Sequence, residues 1–413
     1  MSVVIIGAGQ AGLQLADSLR TEGYDGKIEV IGEEFGVPYQ RPPLSKDYLA
    51  PGKEAAPLPL RGPSFFLDKH ITLHAGVRAL TVDRPERTVK TTEGMLEYDH
   101  LVFATGARNR MLSCPGALLP GVHGLKTLSD AEALHMALPA ARNIVIIGAG
   151  FIGLEFAAAA LAHGCNVTVL EFAPRPMGRA LTPVMSEWFA GALRSQGISL
   201  RLDEGIERFE PGTDGRVAAA ISTSGASYPA DLVLVGIGVQ PNDTLARDSG
   251  IETSNGIVVD ETLRTADPAI LAIGDCANFP SAHSLGNLRL ESVQNATDQG
   301  RHAARTILGT ESPYNALPWF WSTQGPYKLQ MAGIPQPNDD ILILGDQSEA
   351  KFSVLCFRQG ILAAVESVNN AADHMAARKL LSAGTAITRN LVESEGFTLK
   401  AATREVSLVS PVP

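Results

Sequence analysis

Cysteine is scarce in this sequence, and its few copies are far apart. The 413 residues include four cysteines, Cys114, Cys165, Cys276 and Cys356, and no C-x-x-C pair occurs. A disulfide framework, a cysteine-ligated metal and a redox-active dithiol all need cysteines at recognisable spacings. We therefore expect no metal site and four separate thiols that pack as small hydrophobic side chains.

The sequence also lacks an excess of positive charge and an uninterrupted apolar segment. The net charge is -10, whereas non-specific binding of nucleic acid depends on clustered lysine and arginine. The apolar run 144–162 contains three glycines and Glu155, so it indicates a strand, a turn and a helix in place of a membrane span. No basic segment precedes the first apolar run, so we expect a cytoplasmic protein that binds neither nucleic acid nor membrane.

What the sequence does contain is one glycine-rich pattern, G-x-G-x-x-G, in two copies about 140 residues apart. Each copy follows a β-like run and opens a helical pattern, as in VVIIGAGQAG (3–12) and NIVIIGAGFIG (143–153). In such a turn the glycines allow a tight bend, a close approach of a pyrophosphate and close packing of helix on strand. The pattern predicts two dinucleotide sites, with these glycines: Gly7, Gly9 and Gly12, then Gly148, Gly150 and Gly153.

An acidic residue follows the second strand of each copy. Glu33 ends KIEVIGE and Glu171 follows NVTVL, which is where a carboxylate accepts hydrogen bonds from ribose hydroxyls. A carboxylate at Glu171 also repels a 2′-phosphate, so it favours NADH over NADPH. The nearby Arg175 and Arg179 leave the alternative open, because arginine can accommodate that phosphate.

Two dinucleotide sites in one chain indicate a flavin that stays bound and a nicotinamide that exchanges, with the redox chemistry supplied by the cofactors. We expect an α/β fold with two Rossmann-like domains and a C-terminal α+β domain. The predicted boundaries are 1–109 with 239–317 for FAD, 110–238 for NAD, and 318–413 for an interface domain.

Further motifs resemble known families. ATGA (104–107), GIGVQPN (236–242) and AIGDCA (272–277) are similar to strand-end motifs of the glutathione reductase-like flavoproteins. PYQRPPLSKDYL (38–49) and PWFWSTQ (318–324) resemble, more narrowly, the FAD-dependent NADH:ferredoxin reductases of the putidaredoxin reductase-like family.

ESVQNATDQGR (291–301) resembles the same family, and the resemblance covers residues 3 to about 380. It implies electron transfer from NADH through FAD to a 2Fe–2S ferredoxin. Such a ferredoxin feeds a bacterial oxygenase, either a ring-hydroxylating dioxygenase or a haem-thiolate monooxygenase.

The resemblance also implies roles for individual residues. Lys46 should lie beside the flavin and pair with Glu155, although a plain buried salt bridge is the alternative. Trp321 should face the electron acceptor, although Trp319 and Trp321 can equally be core aromatic residues. Beyond the glycines of the first motif, the implied FAD residues are Ala11, Glu33, Lys46, Val77, Thr105, Gly106, Lys126, Asp275, Val293 and Trp321. Beyond the glycines of the second motif, the implied NAD residues are Ile152, Glu155, Glu171, Arg179, Gly238 and Glu291.

Two residues depart from the family pattern. Lys126 stands where arginine is frequent, which keeps the charge but loses a bidentate phosphate contact. Thr323 stands in WSTQ where an acid is frequent, so a bond in the interface domain is expected to be rearranged.

Three other functions are alternatives to ferredoxin reduction. A disulfide reductase needs a reactive cysteine near the flavin and a C-terminal His-Pro, and the chain has no cysteine in 35–60 and no His-Pro dipeptide. A redox-sensing flavoprotein resembling apoptosis-inducing factor and a rubredoxin reductase remain as alternatives. For ferredoxin we predict docking near Arg289, Arg301, Arg305 and Trp321, on a monomer, although these arginines can equally be a solvated helix face.

Overall fold

The computed structural model describes residues 1–53, 56–284 and 286–409. Strand–helix–strand units contain the two glycine motifs, runs of consecutive strands follow each of them, and the last third of the chain is rich in strands. No helix among these residues is long and apolar enough to cross a membrane.

The described residues among the first 109 form eight strands and two α-helices. Val3, Val4 and Ile5 of the first strand are fully buried, as expected for a central parallel strand that is covered on both faces. The elements are β1 (Ser2–Ile6), α1 (Gln10–Thr21), β2 (Lys27–Gly32), α2 (Pro63–Asp68), β3 (Ile71–Ala75), β4 (Ala79–Asp83), β5 (Thr88–Thr91), β6 (Gly94–Glu97), β7 (His100–Phe103) and β8 (Ala107–Asn109).

Residues 110–238 repeat the strand–turn–helix order of the N-terminus. The sequence predicts a helix at Pro183–Ser195, and the structure has a helix with those bounds, because Thr182 caps it and Pro183 fits its first turn. The elements are β9 (Val122–His123), α3 (Leu128–Ala137), β10 (Asn143–Ile147), α4 (Phe151–Ala162), β11 (Asn166–Leu170), α5 (Pro183–Ser195), β12 (Ser199–Arg201), β13 (Ile206–Pro211), β14 (Val217–Ser222), β15 (Ser227–Pro229) and β16 (Leu232–Val235).

The remaining elements include a long helix and an antiparallel sheet. Residues 239–316 form β17 (Val239–Pro241), α6 (Thr244–Asp248), β18 (Ile257–Val258), β19 (Ile270–Ala272), β20 (Ala277–Pro280), β21 (Asn287–Leu288) and α7 (Val293–Ile307). From residue 317 on they are β22 (Trp319–Gln324), β23 (Tyr327–Gly333), β24 (Asp340–Asp346), β25 (Lys351–Arg358), β26 (Ile361–Val368), α8 (Ala371–Ser382), α9 (Arg389–Val392) and α10 (Leu399–Val409).

The chain forms two compact units, and the first carries the N-terminal glycine motif. It consists of Met1–Gln40, Pro57–Arg108 and Val239–Ala316. Its main sheet has the order β19-β7-β1-β2-β3, with every neighbouring pair parallel. Helices α1 and α7 pack closely, because Gly300 of α7 faces the backbone of Ala11 and Leu15 without a side chain between them.

The second unit consists of Arg41–Ala56, Asn109–Gly238 and the described residues from Leu317 on. It contains a parallel sheet in the order β12-β11-β10-β16-β9 and an antiparallel sheet in the order β22-β23-β26-β25-β24. The segment Arg41–Ala56 therefore belongs to the same compact unit as the second glycine motif. The boundaries predicted from the sequence place this segment in the FAD-binding domain.

The expected fold class is confirmed. Two parallel sheets, each with a glycine turn after its central strand, are Rossmann-like, and the C-terminal segment is an antiparallel sheet with helices. The three-domain boundaries given above stay a prediction.

Candidate functional site

The first glycine turn is closed by backbone contacts that exclude side chains. A Cβ on Gly7 would lie 2.1 Å from the carbonyl oxygen of Ala104, and Gly7 has a φ of +120°. A Cβ on Gly12 would lie 2.0 Å from the carbonyl oxygen of Gly7. These two glycines are therefore required by the protein itself, because helix and strand meet backbone to backbone.

The second turn has the same construction. A Cβ on Gly148 would lie 2.6 Å from the carbonyl oxygen of Gly236, and Gly148 has a φ of +100°. A Cβ on Gly153 would lie 2.7 Å from the carbonyl oxygen of Gly148. The two turns thus position α1 and α4 in the same way on their sheets.

The middle glycine of each turn has a different reason to be glycine. A Cβ on Gly9 would meet nothing within 4 Å, and one on Gly150 would meet only the carbonyl oxygen of Gly236, at 3.7 Å. Neither position is crowded by protein, although each is the N-cap of a helix whose first N–H groups point outwards. Open space at a helix N-terminus fits the pyrophosphate of a dinucleotide.

The acid of the second motif is fixed at its turn by hydrogen bonds from the backbone. Glu171 accepts hydrogen bonds from the backbone N–H of Ala149, at 2.6 Å, and of Ala173, at 2.8 Å. Ala149 lies between the first two glycines of the motif. The carboxylate therefore stands at the glycine turn, where it can accept ribose hydroxyls with its remaining lone pairs.

The two arginines near Glu171 have different surroundings. Arg175 is committed to its own segment, because its guanidinium donates to the carbonyl oxygens of Leu181 (2.7 Å) and Gly178 (2.8 Å) and to the hydroxyl of Ser186 (3.2 Å). Arg179 is exposed and lies beside Gly238. Of the two, Arg179 is the one whose side chain lies open to a ligand.

The acid of the first motif is exposed. The Glu33 side chain is 64% accessible and pairs with the equally open Arg78. Such a pair moves readily, because both partners are solvated.

Lys46 and Glu155 form an ion pair within the second unit. Lys46 Nζ lies 2.7 Å from Glu155 Oε2, and the Glu155 side chain is only 4% exposed. The same oxygen accepts the hydroxyl of Ser45 at 2.5 Å, and Oε1 accepts the hydroxyl of Ser322 at 2.5 Å. The carboxylate is held by three donors, which offsets much of the free energy lost on burying its charge.

The ammonium of Lys46 is held but not enclosed. It donates to Glu155 and, at 3.2 Å, to the carbonyl oxygen of Pro42, and its side chain is 23% exposed. An ammonium has three N–H bonds, so the described contacts leave one for a ligand. The arrangement can present a fixed positive charge next to the helix that begins at the second glycine turn.

Comparison with known proteins identifies the family. The family described as pyridine nucleotide-disulphide oxidoreductase matches residues 1–300, and the domain described as reductase C-terminal matches residues 319–403. Rhodocoxin reductase of Rhodococcus erythropolis is 48% identical over 403 residues, which are 97% of this chain and 94% of that protein. This chain belongs to the ferredoxin reductases of that family.

Two other relatives are a ferredoxin reductase and a rubredoxin reductase. The crystal structure of the ferredoxin reductase for the CYP199A2 system from Rhodopseudomonas palustris has a TM-score of 0.94 and 45% identity, covering 97% of this chain and 99% of that one. Rubredoxin-NAD(+) reductase of Pseudomonas putida is 36% identical over 370 residues, 89% of this chain and 96% of that protein. The reductase is a flavin oxidoreductase, and its family uses FAD and NAD(P)H.

The predicted FAD residues of the first unit lie at several strand ends. Thr105 and Asn242 are tied by two bonds, from the Thr105 hydroxyl (2.6 Å) and from the Asn242 amide (2.9 Å). A Cβ on Gly274 would lie 3.0 Å from Ala11, so the turn that carries Asp275 approaches the start of α1. Gly106 follows Thr105 with a φ of +65°, Val77 is buried, and Val293 is the first residue of α7.

The other predicted residues divide between the units. The backbone N–H of Lys126 donates to the Asp130 carboxylate (2.9 Å). Ile152 is exposed on the first turn of α4. Both residues lie in the second unit, as does Gly238. Glu291 belongs to the first unit, where it pairs with Arg289 at 2.7 Å.

The two tryptophans of the interface segment stack on each other. The ring centroids of Trp319 and Trp321 are 5.5 Å apart, with 30° between the planes. The Arg378 guanidinium lies 3.8 Å from the Trp319 ring centroid. Both tryptophans are half-buried, so they present ring surface to solvent as well as to the core.

The cysteines have no features of a reactive thiol. Burial raises the pKa of each of the four thiols, so none is poised as a thiolate. No group of His, Cys, Asp and Glu among residues 1–53, 56–284 and 286–409 could hold a metal ion. Among the described residues, no cysteine therefore has the environment of a reactive thiolate.

Three residues of the Glu155 environment were not singled out from the sequence. Ser45 and Ser322 lie inside motifs that were quoted for their lysine and tryptophans, and Gln324 donates to the Ser322 hydroxyl at 2.8 Å. The available signal was their position in those motifs, PPLSK and WFWSTQ.

Proposed function

We propose that this reductase takes electrons from NADH and passes them, through FAD, to a 2Fe–2S ferredoxin that feeds a bacterial ring-hydroxylating dioxygenase or haem-thiolate monooxygenase. The observation that carries the proposal is the pair of glycine turns with open central glycines, the second with a carboxylate already fixed at its edge. The names of the relatives, which include reductases of rhodocoxin and of rubredoxin, support a small redox protein as acceptor.

FAD, when bound, supplies the chemistry of accepting two electrons together and releasing them one at a time. For this chain we propose that the first turn and the strand-end residues Thr105, Gly106 and Asp275 hold it, through backbone N–H groups and side-chain hydrogen bonds. Ala11, Glu33, Val77, Val293, Lys126 and Trp321 complete the proposed set. The role proposed for Lys46 is a fixed positive charge, which Glu155 keeps in place.

Preference for NADH over NADPH is part of the proposal. It is supported by the fixed Glu171 carboxylate and by the commitment of Arg175 to three acceptors of its own segment. Gly148, Gly150, Ile152, Gly153, Gly238, Glu291 and Arg179 complete the proposed nicotinamide dinucleotide site.

Glu171→Ala tests this preference. The Michaelis constant for NADH should rise far more than that for NADPH, because the 2′-hydroxyl loses its acceptor and the 2′-phosphate loses its repulsion. Arg179→Ala is the matched control on the same segment, and it should weaken NADPH at least as much as NADH. Equal effects of Glu171→Ala on both nucleotides would remove the ribose role.

Docking of the acceptor is proposed at the exposed face of α7 and near Trp321. Arg301 and Arg305 are one helical turn apart and more than half exposed, although Asp298 and Glu22 partly balance their charge. Arg289 contributes less than the sequence suggested, because its side chain is 9% exposed and it donates to Asn255 and to the Asp275 carbonyl oxygen.

Charge reversal tests the docking surface. Arg301→Glu should slow reduction of an acidic ferredoxin at low salt, and the effect should fade as salt screens the charges. Lys90→Glu, an exposed residue on β5, is the control of equal charge change. Equal rates for wild type and Arg301→Glu at low salt would rule out this surface.

Rubredoxin is the second candidate acceptor, favoured by the 36% identity to a rubredoxin reductase. Purified protein should be yellow and should bleach with NADH under anaerobic conditions. NADH-driven reduction of a panel of ferredoxins and rubredoxins then decides between the acceptors. A colourless protein, or one that bleaches but reduces neither class, would contradict the proposal.

We propose the predicted division of labour between FAD segments (1–109 and 239–317), an NAD segment (110–238) and an interface segment (318–413). A monomer in the cytoplasm remains the expectation, which light scattering of the purified protein checks for the oligomeric state.

A further inference from the structure

A second buried carboxylate lies outside the glycine turns. Glu366 on β26 is 0% exposed, and its neighbours across the sheet are Met331 and Val354, which carry no charge. An ionised carboxylate in such surroundings loses several kcal/mol of hydration, so it is retained only where its hydrogen bonds matter.

Both carboxylate oxygens of Glu366 accept hydrogen bonds from one residue, Thr182, which lies outside the sheet. Oε1 accepts the backbone N–H of Thr182 at 2.9 Å, and Oε2 accepts its hydroxyl at 2.5 Å. Thr182 in turn caps α5, accepting the N–H of Met185 at 3.3 Å. Glu366 of the C-terminal sheet thus binds Thr182, the last residue of the segment that precedes α5.

That segment, residues 172–182, connects Glu171 to α5 and lies against the second glycine turn. Met177 donates its N–H to the carbonyl oxygen of Ala149 at 2.9 Å, within the turn itself. The Arg175 guanidinium joins Gly178, Leu181 and Ser186, so the segment is one hydrogen-bonded body from Ala149 to Thr182. Hydrogen bonds within this segment therefore connect Thr182 to the turn.

The segment also contains strained backbone. Met177 is buried and has a φ of +52°, a conformation that is unfavourable for a residue other than glycine. Such a conformation persists only where both sides are fixed. Here Glu171 fixes one side through Ala149 and Ala173, and Glu366 fixes the other through Thr182.

We propose that Glu366 is a positioning residue for the nicotinamide dinucleotide: it holds Thr182, and through it residues 172–182, against the second glycine turn. It sets the affinity for the nucleotide without touching it. This inference rests on the proposed role of the second turn in binding NADH.

The inference includes a dependence on pH. Desolvation raises the pKa of Glu366 to about 7, partly offset by hydrogen bonds from Thr182 and by the charge of Arg175. The charged or titratable groups facing it are Arg175, from the segment, and the Cys356 thiol of β25, whose own pKa burial raises. Protonation below pH 7 removes the charge that strengthens both Thr182 bonds, so nucleotide affinity should fall there.

The test measures the dissociation constant of NAD⁺ by calorimetry on the flavin-loaded protein, at pH 6 and pH 8. Glu366→Gln should weaken NAD⁺ at pH 8 by about tenfold, since the two bonds to Thr182 lose their charge assistance. The wild type should weaken from pH 8 to pH 6, and the variant should lose most of that dependence. In turnover the Michaelis constant for NADH should rise more than the turnover number falls.

Two further variants keep the result clear. Ser367→Ala removes a buried hydrogen bond to Ser353 (3.0 Å) from the same strand and should leave NAD⁺ affinity unchanged. If Glu366→Gln does not fold, Thr182→Val removes the 2.5 Å bond from the other side and should weaken NAD⁺ about threefold. Equal affinities and pH profiles for the wild type and the variant that folds would overturn the inference, whereas a wild type that binds no nucleotide would overturn the proposed function as well.

Discussion

The two glycine turns of this chain have the same backbone hydrogen bonding, but they differ in the side chains that stand near a ligand. In the first, the Gly7 N–H donates to the carbonyl oxygen of Ile31 at 2.8 Å; in the second, the Gly148 N–H donates to that of Leu170 at 2.8 Å. These bonds fix the equivalence of the two strands, so the residue after Ile31 corresponds to the residue after Leu170.

The acids are offset by one residue in that equivalence. Glu171 corresponds to Gly32, and Glu33 comes one residue later. A Cβ on Gly32 would lie 2.8 Å from the Cβ of Ala8, so this position cannot carry the acid without rearrangement. The second acid stands inside its turn and the first stands outside it, among solvated charges.

The helices that follow the turns differ in the same direction. Position 155 of α4 carries the buried partner of Lys46, and the equivalent position of α1 carries Gln14, which donates to Ser18 at 3.1 Å. A site that binds and releases its ligand in every turnover gains from groups that are fixed in advance, because each binding event then orders fewer side chains. The difference supports the proposed division into an exchanging site and a permanent one.

The largest effect is expected from breaking the buried pair. Glu155→Ala should lower the free energy of unfolding by about 3–5 kcal/mol, because it leaves the Lys46 ammonium without its counter-ion. Chemical denaturation of the flavin-free protein measures it. Gln14→Ala at the equivalent position of α1 should cost less than about 1 kcal/mol. Similar losses for the two variants would erase the contrast between the helices.

The next effect concerns pH. The folded state raises the pKa of Glu366 from 4.5 to about 7, so the folded protein binds this proton more tightly than the unfolded chain. The contribution of this group to stability is therefore undiminished below pH 4.5 and falls as pH rises to about 7, by at most about 3 kcal/mol.

Glu366→Gln should remove this dependence. The free energy of unfolding of the variant, relative to that of the wild type, should be higher at pH 8 than at pH 5. Parallel pH profiles for the two proteins would show that Glu366 does not take up a proton in this range.

A smaller effect separates the glycines of one turn. Gly12→Ala should lower stability by about 1–3 kcal/mol, because its Cβ meets the Gly7 carbonyl oxygen. Gly9→Ala meets nothing and should unfold like the wild type without flavin. The flavin content of purified Gly9→Ala should nevertheless fall, measured as absorbance per protein. Full flavin content would mean that no phosphate approaches Gly9.

The smallest effect compares the acids directly. Glu171→Ala loses two bonds to backbone N–H groups and should cost about 1–2 kcal/mol in the absence of nucleotide. Glu33→Ala loses an exposed ion pair and should cost less than about 0.5 kcal/mol. Thermal unfolding of the ligand-free proteins gives both values, and equal losses would mean that the second acid is no more fixed than the first.

Local features follow from the residues themselves, whereas the long-range pair of Lys46 and Glu155, 109 positions apart, was expected only from the family resemblance. Both turns, their helices and the bounds of Pro183–Ser195 follow from spacing and capping, which are local properties. The bonds of Ser322 to Glu155 and of Glu366 to Thr182 join residues 167 and 184 positions apart. No periodicity in a single sequence reports such pairs. The commitment of Arg175 was not foreseen for a different reason. Its acceptors, the carbonyl oxygens of Gly178 and Leu181 and the Ser186 hydroxyl, are near in sequence, but a loop conformation that no residue pattern reports brings them to the guanidinium.

The segment Arg41–Ala56 decides how the protein can be divided. It lies in the sequence within the first unit, yet it supplies Lys46 and Ser45 to the second. A fragment that begins at Asn109 would keep Glu155 and Ser322 but leave the carboxylate buried without a cation, at a cost of about 3–5 kcal/mol. The second unit is therefore not an independent module: exchanging it between reductases requires moving all three of its segments together.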